Sequence, residues 1–403
     1  MLKDLLESVP LSKGTCAQIL GVAPAVFDEW VAGQAAMPAG YARALAGILG
    51  VAPEALRQRQ VSAAEATPSI WFRLRDHRVG ERERTQVALL RRFAHLVDQF
   101  EAATGSRSFV WKSVFDTVSR EVDFSASPLQ QGRHAAQILR AERGLKQGAT
   151  GIASAFRGHL RALGVLVVES PLPDSKIEGC SFYVQSADGV GLRPCVFANT
   201  HGSTWFRRNY VLFHETAHLI FDALKAGASV DFSEVEPRGA EDVIEQRADA
   251  FAQDMLVPPV VLRHLAQANG IDWERFTPEA LAALVADTEV EAGLVLKAAA
   301  EAQLLSKDQR AEASGFDIAT LLRARTERAL SAPEYFRRHP EREHELGKRA
   351  TATSPPLRLP AGYVGAVVEA VNEGVIAASK GAELLMIDRR VFHARFGAPS
   401  SDD

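Results

Sequence analysis

Cysteine is scarce: Cys16, Cys180 and Cys195 are the only three in 403 residues. Thiols so few and so widely spaced exclude a disulfide framework and a cysteine-based zinc knuckle. They suit a reducing compartment. Long apolar runs are also missing. No stretch approaches the roughly 18 residues of a membrane span, and the opening MLKDLLESVPLSKG has no apolar signal core. The expectation is a cytoplasmic protein with no membrane partner. A charge excess is absent too, with 46 Lys and Arg against 50 Asp and Glu for a net charge of −4. That balance excludes a strong attraction of the whole molecule for nucleic acid, though not a local patch. What is there is an ordinary globular composition, 47% hydrophobic and 24% charged, long enough for two or three domains. No internal repeat is apparent.

Residues 1–60 read as a small helical domain. Apolar positions recur at helical spacing in AQILGV, AVFDEWVAG and ARALAGILGV, with Gly21, Gly33 and Gly50 placed as helix stops. Through Ala17, Leu20, Gly21, Val22, Trp30, Gly33 and Pro38 the stretch resembles the XRE-type helix-turn-helix domain. A recognition helix needs side chains that reach bases and phosphates. PAVFDEWVAGQ offers Asp28 and Glu29 and no Lys or Arg, and residues 1–60 carry five basic and five acidic residues. Both DNA and protein partners, including a homodimer mate, stay open for it.

Residues 61–130 read as a linker followed by an Arg-rich helical segment. WFRLRDHRVGERERTQVALLRRF, residues 71–93, has seven arginines against three acids. A solvated helical face is one reading and a nucleic-acid contact the other. Residues 131–305 have a compact α+β pattern. HAAQILRAERGL and GIASAFRGHLRALG have helical spacing. VLVVES, GCSFYVQSA and PCVFANT read as strands of a small antiparallel sheet. Two further helical segments follow, YVLFHETAHLIFDAL and GAEDVIEQRADAFAQDML, the second stopped by Pro258–Pro259. Residues 306–360 form a charged helical segment and linker. Residues 361–403 form a small C-terminal helical module in which NEGVIAASKGAELLMI has the cadence of a helix-turn-helix. The fold class expected is mainly α with a small antiparallel sheet, an α+β arrangement with a zincin-like HExxH helix core flanked by small helical modules.

His214, Glu215 and His218 interrupt the apolar segment at 210–224. Residues four apart share a helix face, so the two imidazoles converge on one point, with Glu215 beside it. Two facing imidazoles repel when protonated and need partners when neutral, which favours a shared metal over a buried pair. A catalytic zinc takes three protein ligands and keeps one position open. The third must come from another element. In EQRADAFAQDM, Glu245 and Asp249 share a face: Glu245 is the metal donor and Asp249 the acceptor for a ligand ring N–H. Glu241 and Asp242, one turn earlier, are alternatives. Tyr210, His201 and Arg207 are unranked candidates for an oxyanion or substrate donor.

RRNYVLFHETAHLIF followed by EQRADAFAQDMLVPP resembles the ImmA/IrrE family of metallo-endopeptidases over about residues 130–260. The resemblance implies that His214, His218 and Glu245 bind Zn2+, or Mn2+, and that catalysis falls to Glu215 as general base. Asn209, Tyr210 and Val211 depart from the family's usual Arg, Phe and Thr, and Asp249 from its usual Asn. The function expected is a regulatory zinc endopeptidase that cleaves a transcriptional repressor or similar protein in response to stress. The rival reading is a DNA-binding regulator or antitoxin-like protein whose metal is structural or sensory.

Overall fold

A computed structural model of the chain describes residues 12–49, 71–74, 81–106, 110–142, 152–172, 177–186, 192–221, 240–326 and 361–397, with single positions 6, 56, 175 and 359. Helices α1 (Lys13–Leu20), α2 (Pro24–Ala32) and α3 (Ala39–Leu49) come first. Strand β1 (Trp71–Leu74) and helices α4 (Glu81–Thr104), α5 (Trp111–Glu121), α6 (Pro128–Glu142) and α7 (Ile152–Ala162) follow. Next are β2 (Leu166–Ser170), β3 (Ile177–Gln185), β4 (Leu192–Asn199), α8 (Trp205–Phe221) and α9 (Ala240–Leu256). The chain continues through α10 (Pro259–Asn269), α11 (Pro278–Thr288), α12 (Ala292–Glu301), α13 (Lys307–Ala313) and α14 (Ala319–Thr326). It closes with α15 (Ala361–Asn372), α16 (Ala378–Leu384) and α17 (Arg389–Phe396). Among these elements no helix is long and apolar enough to cross a membrane.

The class is α+β, mainly helical, but the sheet is mixed and not purely antiparallel. Its order is β1-β3-β4-β2. β3 runs antiparallel to both β1 and β4, while β2 lies parallel to β4. Alternation of apolar residues reports that a strand has a buried face, and it carries no information on the direction of the neighbour. That direction comes from the β3–β4 hairpin, which leaves β2 only the far edge of β4.

Each face of the sheet is covered. Cys180, Phe182, Val184, Cys195 and Phe197 pack with Val87, Leu90, Phe93 and Ala94 of α4. Tyr183, Val196 and Ala198 face the opposite way, into the core that contains α8. Cys180 and Cys195 are free thiols in the interior beneath α4, and Cys16 is a free thiol buried among the N-terminal helices. Trp71–Leu74 and Glu81–Thr104 thus add an edge strand and a covering helix to the sheet. The solvated-face reading of the arginine run fails for α4, where Arg91 is itself buried and loses part of its basicity to desolvation, falling to about 10. Residues 75–80 lie outside the described residues.

Arg193 of β4 clamps α4 in place. Its guanidinium donates to Asp98 at 2.6 Å, to Glu101 at 2.6 Å and to the Gly164 carbonyl at 2.8 Å. Both Arg193 and Asp98 are buried. Glu101 and the Gly164 carbonyl still hold Arg193 when Asp98 is removed, so what is lost is one charge-assisted hydrogen bond in the core, about 1.5–3 kcal/mol. Asp98→Ala should lower the unfolding free energy extrapolated from urea melts by that much; a change under about 0.5 kcal/mol would show that the pair is not buried in solution.

α4 is also the spine on which the end modules rest. Ala17, Leu20, Phe27, Trp30 and Leu45 cluster with its Ala88 and Leu89. Val367, Leu384, Leu385 and Phe392 cluster with its Leu96 and Phe100. The Tyr363 ring stands edge-on to Phe93 and Phe100, at 5.1 and 5.8 Å.

On the far side of α9 from Glu245, Asp254 is buried against Arg133 (3.6 Å). Burial raises its carboxyl from 3.8 to about 6, with Glu301 adding to the rise and Arg133 and Arg140 opposing it. The folded protein thus binds this proton more tightly than the unfolded chain. Asp254 burdens stability least below pH 4, and stability falls as pH rises through about 6. Asp254→Asn should flatten the melting temperature between pH 4 and 6 and stabilise the protein at pH 7, by at most about 3 kcal/mol. An unchanged pH profile would remove Asp254 as its source.

Candidate metal centre

Helix α8 is buried almost all round because it lies between the sheet and α9, with α5 on its flank. Its apolar side chains explain that position. Phe213 stacks on Phe156 of α7 at 4.4 Å, and Tyr183 of β3 donates its hydroxyl to the Leu219 carbonyl at 3.1 Å. A polar brace holds the N-terminal end. Buried Arg157 donates to Glu169 at 3.0 and 3.1 Å and to Asn209 Oδ1, and lies over the Trp205 ring at 4.0 Å. Burial alone raises the Glu169 carboxyl, but the charges of Arg157 and Arg208 outweigh it and hold it below its usual range.

In this setting His214, Glu215 and His218 are all buried in the interior side of α8. The Nε2 atoms of His214 and His218 are 3.0 Å apart. Glu245, one turn into α9, places Oε2 3.2 Å from His214 Nε2 and Oε1 3.4 Å from His218 Nε2. Donors about 2.0–2.1 Å from a tetrahedral zinc are separated by about 3.3 Å, so the triangle has the size of such an ion's ligand set. These are the three residues whose ligand atoms lie within 4.8 Å of one another, the one such group among the described residues. Burial tends to raise the Glu245 carboxyl, yet its hydrogen bonds and charge attraction to both imidazoles hold it well below the usual range.

The donor chemistry fits a cation. Asp249 Oδ1 lies 2.9 Å from His214 Nδ1. An ionised carboxylate can only accept, so Nδ1 carries the hydrogen and the Nε2 lone pair faces His218 and Glu245. Three lone-pair donors turned on one another need a proton or a metal between them. Tyr210 donates its hydroxyl to the same Asp249 oxygen at 2.5 Å. Tyr210, expected as an oxyanion or substrate donor, here meets the carboxylate that holds His214. Asp249→Ala should lower zinc affinity about 10- to 100-fold in chelator competition. Tyr210→Phe should add little in that background, since both act along one chain. An additive loss would show that Tyr210 acts elsewhere.

The other candidates are not brought together with these. Arg207 donates to Glu178 at 2.7 Å, an ion pair that ties α8 to β3. His201 is exposed in the turn after β4, and no contact among the described residues links it to His214, His218 or Glu245. The side chains of Glu241 and Asp242 lie outside the described residues.

Two residues escaped the sequence reading. Ser181 of β3 donates its hydroxyl to Glu215 Oε2 at 2.9 Å. Gly179, two residues earlier on the same face, lets α8 approach: a Cβ there would lie 2.4 Å from Val211 Cγ1 and 3.0 Å from Glu215 Oε1. Period-two alternation in GCSFYVQ marks both as sharing a face with Tyr183, but only the packing shows what that face touches. Glu215 Oε1 is buried with no hydrogen-bond partner among the described residues. Burial pushes its carboxyl up against the opposing pull of His218, His214 and Ser181.

The arrangement is therefore a three-donor cation site beside a buried carboxylate with an unused oxygen. Residues 160–297 match the family described as the IrrE N-terminal-like domain, peptidase family M78. The match spans β2 to β4, α8, α9 and the helices up to α12, about a third of the chain. It supports a metallopeptidase of the IrrE/ImmA type, and that family implies a divalent metal, usually zinc. Neither the curated proteins nor the solved structures give a match.

Proposed function

We propose that this protein is a zinc-dependent endopeptidase with a regulatory role, cleaving a transcriptional repressor or a similar regulatory protein. The observation that carries the reading is the His214–His218–Glu245 triangle, sized for a tetrahedral ion, next to the unpartnered Oε1 of Glu215. Zinc, or manganese, held by those three would polarise the scissile carbonyl and acidify water beside it. Asp249 keeps the His214 ring in the tautomer that leaves Nε2 free to bind. Ser181 holds one oxygen of Glu215, so the other is left to take the proton of the attacking water and later deliver it to the leaving amine. The regulatory part of the reading draws on the small helical modules at both ends, the first of them XRE-like, which suit a switch better than a digestive enzyme.

A structural or sensory zinc in a DNA-binding regulator is the competing reading. Structural zinc is normally closed by four protein ligands, whereas the donor set among the described residues numbers three. Elemental analysis of the purified protein, beside His218→Ala and Glu245→Ala, tests the centre. About one zinc per chain, lost in both variants, is expected. Labelling of new N-termini in a cell lysate treated with zinc-loaded protein then tests the activity. New termini at defined sites support a peptidase; a zinc-loaded protein that generates none would leave the regulator reading standing.

A further inference from the structure

The two ends of the chain carry the same unit. Laying residues 378–397 over 13–32 without a gap pairs Ala382 with Ala17, Leu385 with Leu20, Val391 with Val26 and Phe392 with Phe27. Leu384 and Ile387 fall on Ile19 and Val22. The backbone repeats in the same register. α1 ends at Gly21 with φ 69°, and α16 is followed by Met386 with φ 53°, a conformation rare for a side chain of that size. The amide of Val22 bonds the Ala17 carbonyl at 3.0 Å, and that of Ile387 the Ala382 carbonyl at 3.1 Å. The residue before the second helix is extended in both, with ψ 139° at Ala23 and 146° at Asp388. Ala17 and Ala382, Leu20 and Leu385, and Phe27 and Phe392 are all buried. The absence of an apparent repeat is thus overturned: Met for Gly at the turn and an opposite surface charge mask it in the sequence.

The surfaces differ where it matters. The second helix of the first unit, α2, exposes Asp28 and Glu29 and no basic side chain. Its counterpart α17 exposes Arg389 and Arg390 in its first turn and His393 one turn on, with no acid within the helix. The two acids that precede α17 most closely are both engaged. Asp388 accepts the Arg390 amide at 2.7 Å as the helix cap, and Glu383 pairs with Lys380 at 3.0 Å. The unit docks on α4 through Tyr363 and through Lys380, which donates to Gln99 at 2.6 Å. α17 thereby stays on the outside.

We infer that the C-terminal unit is a helix-turn-helix that binds double-stranded DNA through α17, and that the acidic N-terminal copy does not. Two short helices joined by a tight left-handed turn, packed so closely that a Cβ on Gly381 would lie 3.0 Å from the Phe392 ring, offer the N-terminal residues of the second helix to the major groove. Arg389 and Arg390 stand at those positions. Arginine there suits both phosphate pairing and bidentate contact to guanine. A protein with a net charge of −4 needs such a local patch to approach DNA at all.

The test is fluorescence anisotropy of the full chain with a labelled 30-base-pair duplex of random sequence, about 50 to 200 mM salt. Wild type should lose affinity steeply with salt. Arg389→Ala/Arg390→Ala should bind about tenfold more weakly at the low-salt end, and its log–log salt slope should be shallower by about two. Both side chains are exposed, so the melting temperature should not move; Arg390→Glu is the second variant and should lose more. Asp28→Ala/Glu29→Ala should bind within about twofold of wild type. The inference is overturned by unchanged binding in the arginine variants, by salt-independent binding, by a loss confined to the Asp28/Glu29 variant, or by preference for single-stranded RNA of equal length.

Discussion

Replacing Glu215 with glutamine is expected to slow peptide hydrolysis by about 10²- to 10⁴-fold while leaving the metal content unchanged. The donor atoms that could hold a metal belong to His214, His218 and Glu245, and the distances that define their triangle run between those three side chains. Glutamine keeps the volume of a fully buried side chain and can still meet the Ser181 hydroxyl, so packing of α8 on β3 is preserved. What it lacks is the basic oxygen. Oε1 is buried with no hydrogen-bond partner among the described residues, and burial raises the carboxyl above its ordinary range, which makes it a stronger acceptor of a proton near neutrality. Turnover of a cleaved protein, followed beside elemental analysis of the same preparation, checks both halves. Cleavage retained by Glu215→Gln would sink the mechanism. Loss of zinc in the variant would mean that Glu215 holds the centre together and is not simply its base.

A methyl group at Gly179 should do comparable damage from the other side of the site. Glycine at this position lets β3 and α8 pack without a side chain between them. A Cβ would sit 2.4 Å from Val211 Cγ1 and 3.0 Å from both the Phe197 carbonyl oxygen and Glu215 Oε1. One of those neighbours is backbone of β4, held by the ladder, and another is the buried carboxylate, so neither yields cheaply. Overpacking of a core costs typically about 1–3 kcal/mol, and this site belongs at the upper end. Gly179→Ala is expected to lower the denaturant midpoint and, by moving α8 off the sheet, to weaken zinc binding with it. Val211→Ala in the same chain removes the nearest clash and should recover part of the stability, a non-additivity that two unrelated core lesions would not show. A Gly179→Ala protein as stable as wild type would mean that the sheet and helix stand further apart than described here.

The parts of this molecule legible in the sequence were those with a local period. Four-residue spacing set His214 above His218 and Glu245 above Asp249, and the structure finds each pair on one face of α8 and α9. The three strands at 166–199 announced themselves by β-branched and aromatic residues between turn formers. β1 did not, because WFRL lies in an arginine-rich run and gains its strand character from pairing with β3. Residues two apart on β3 were assignable to a common face, but nothing in GCSFYVQ indicates that the face meets Glu215. Nothing in the sequence signals that the Tyr210 hydroxyl meets Asp249 at 2.5 Å, since that contact joins two helices through residues 39 apart in the chain.

By itself, then, the order of residues determined the helices, the strands with clean alternation and the three side chains, His214, His218 and Glu245, that meet at the candidate metal centre. These follow from interactions within one or two turns, where chain geometry leaves little choice. Only the tertiary structure decided the direction of β2, the place of α4 beneath the sheet and the pairing of Arg193 with Asp98. It alone decided the access that Gly179 opens for Glu215 and the match between the two end units. Each depends on which surfaces meet across tens or hundreds of residues, and burial selects that arrangement through the whole core at once.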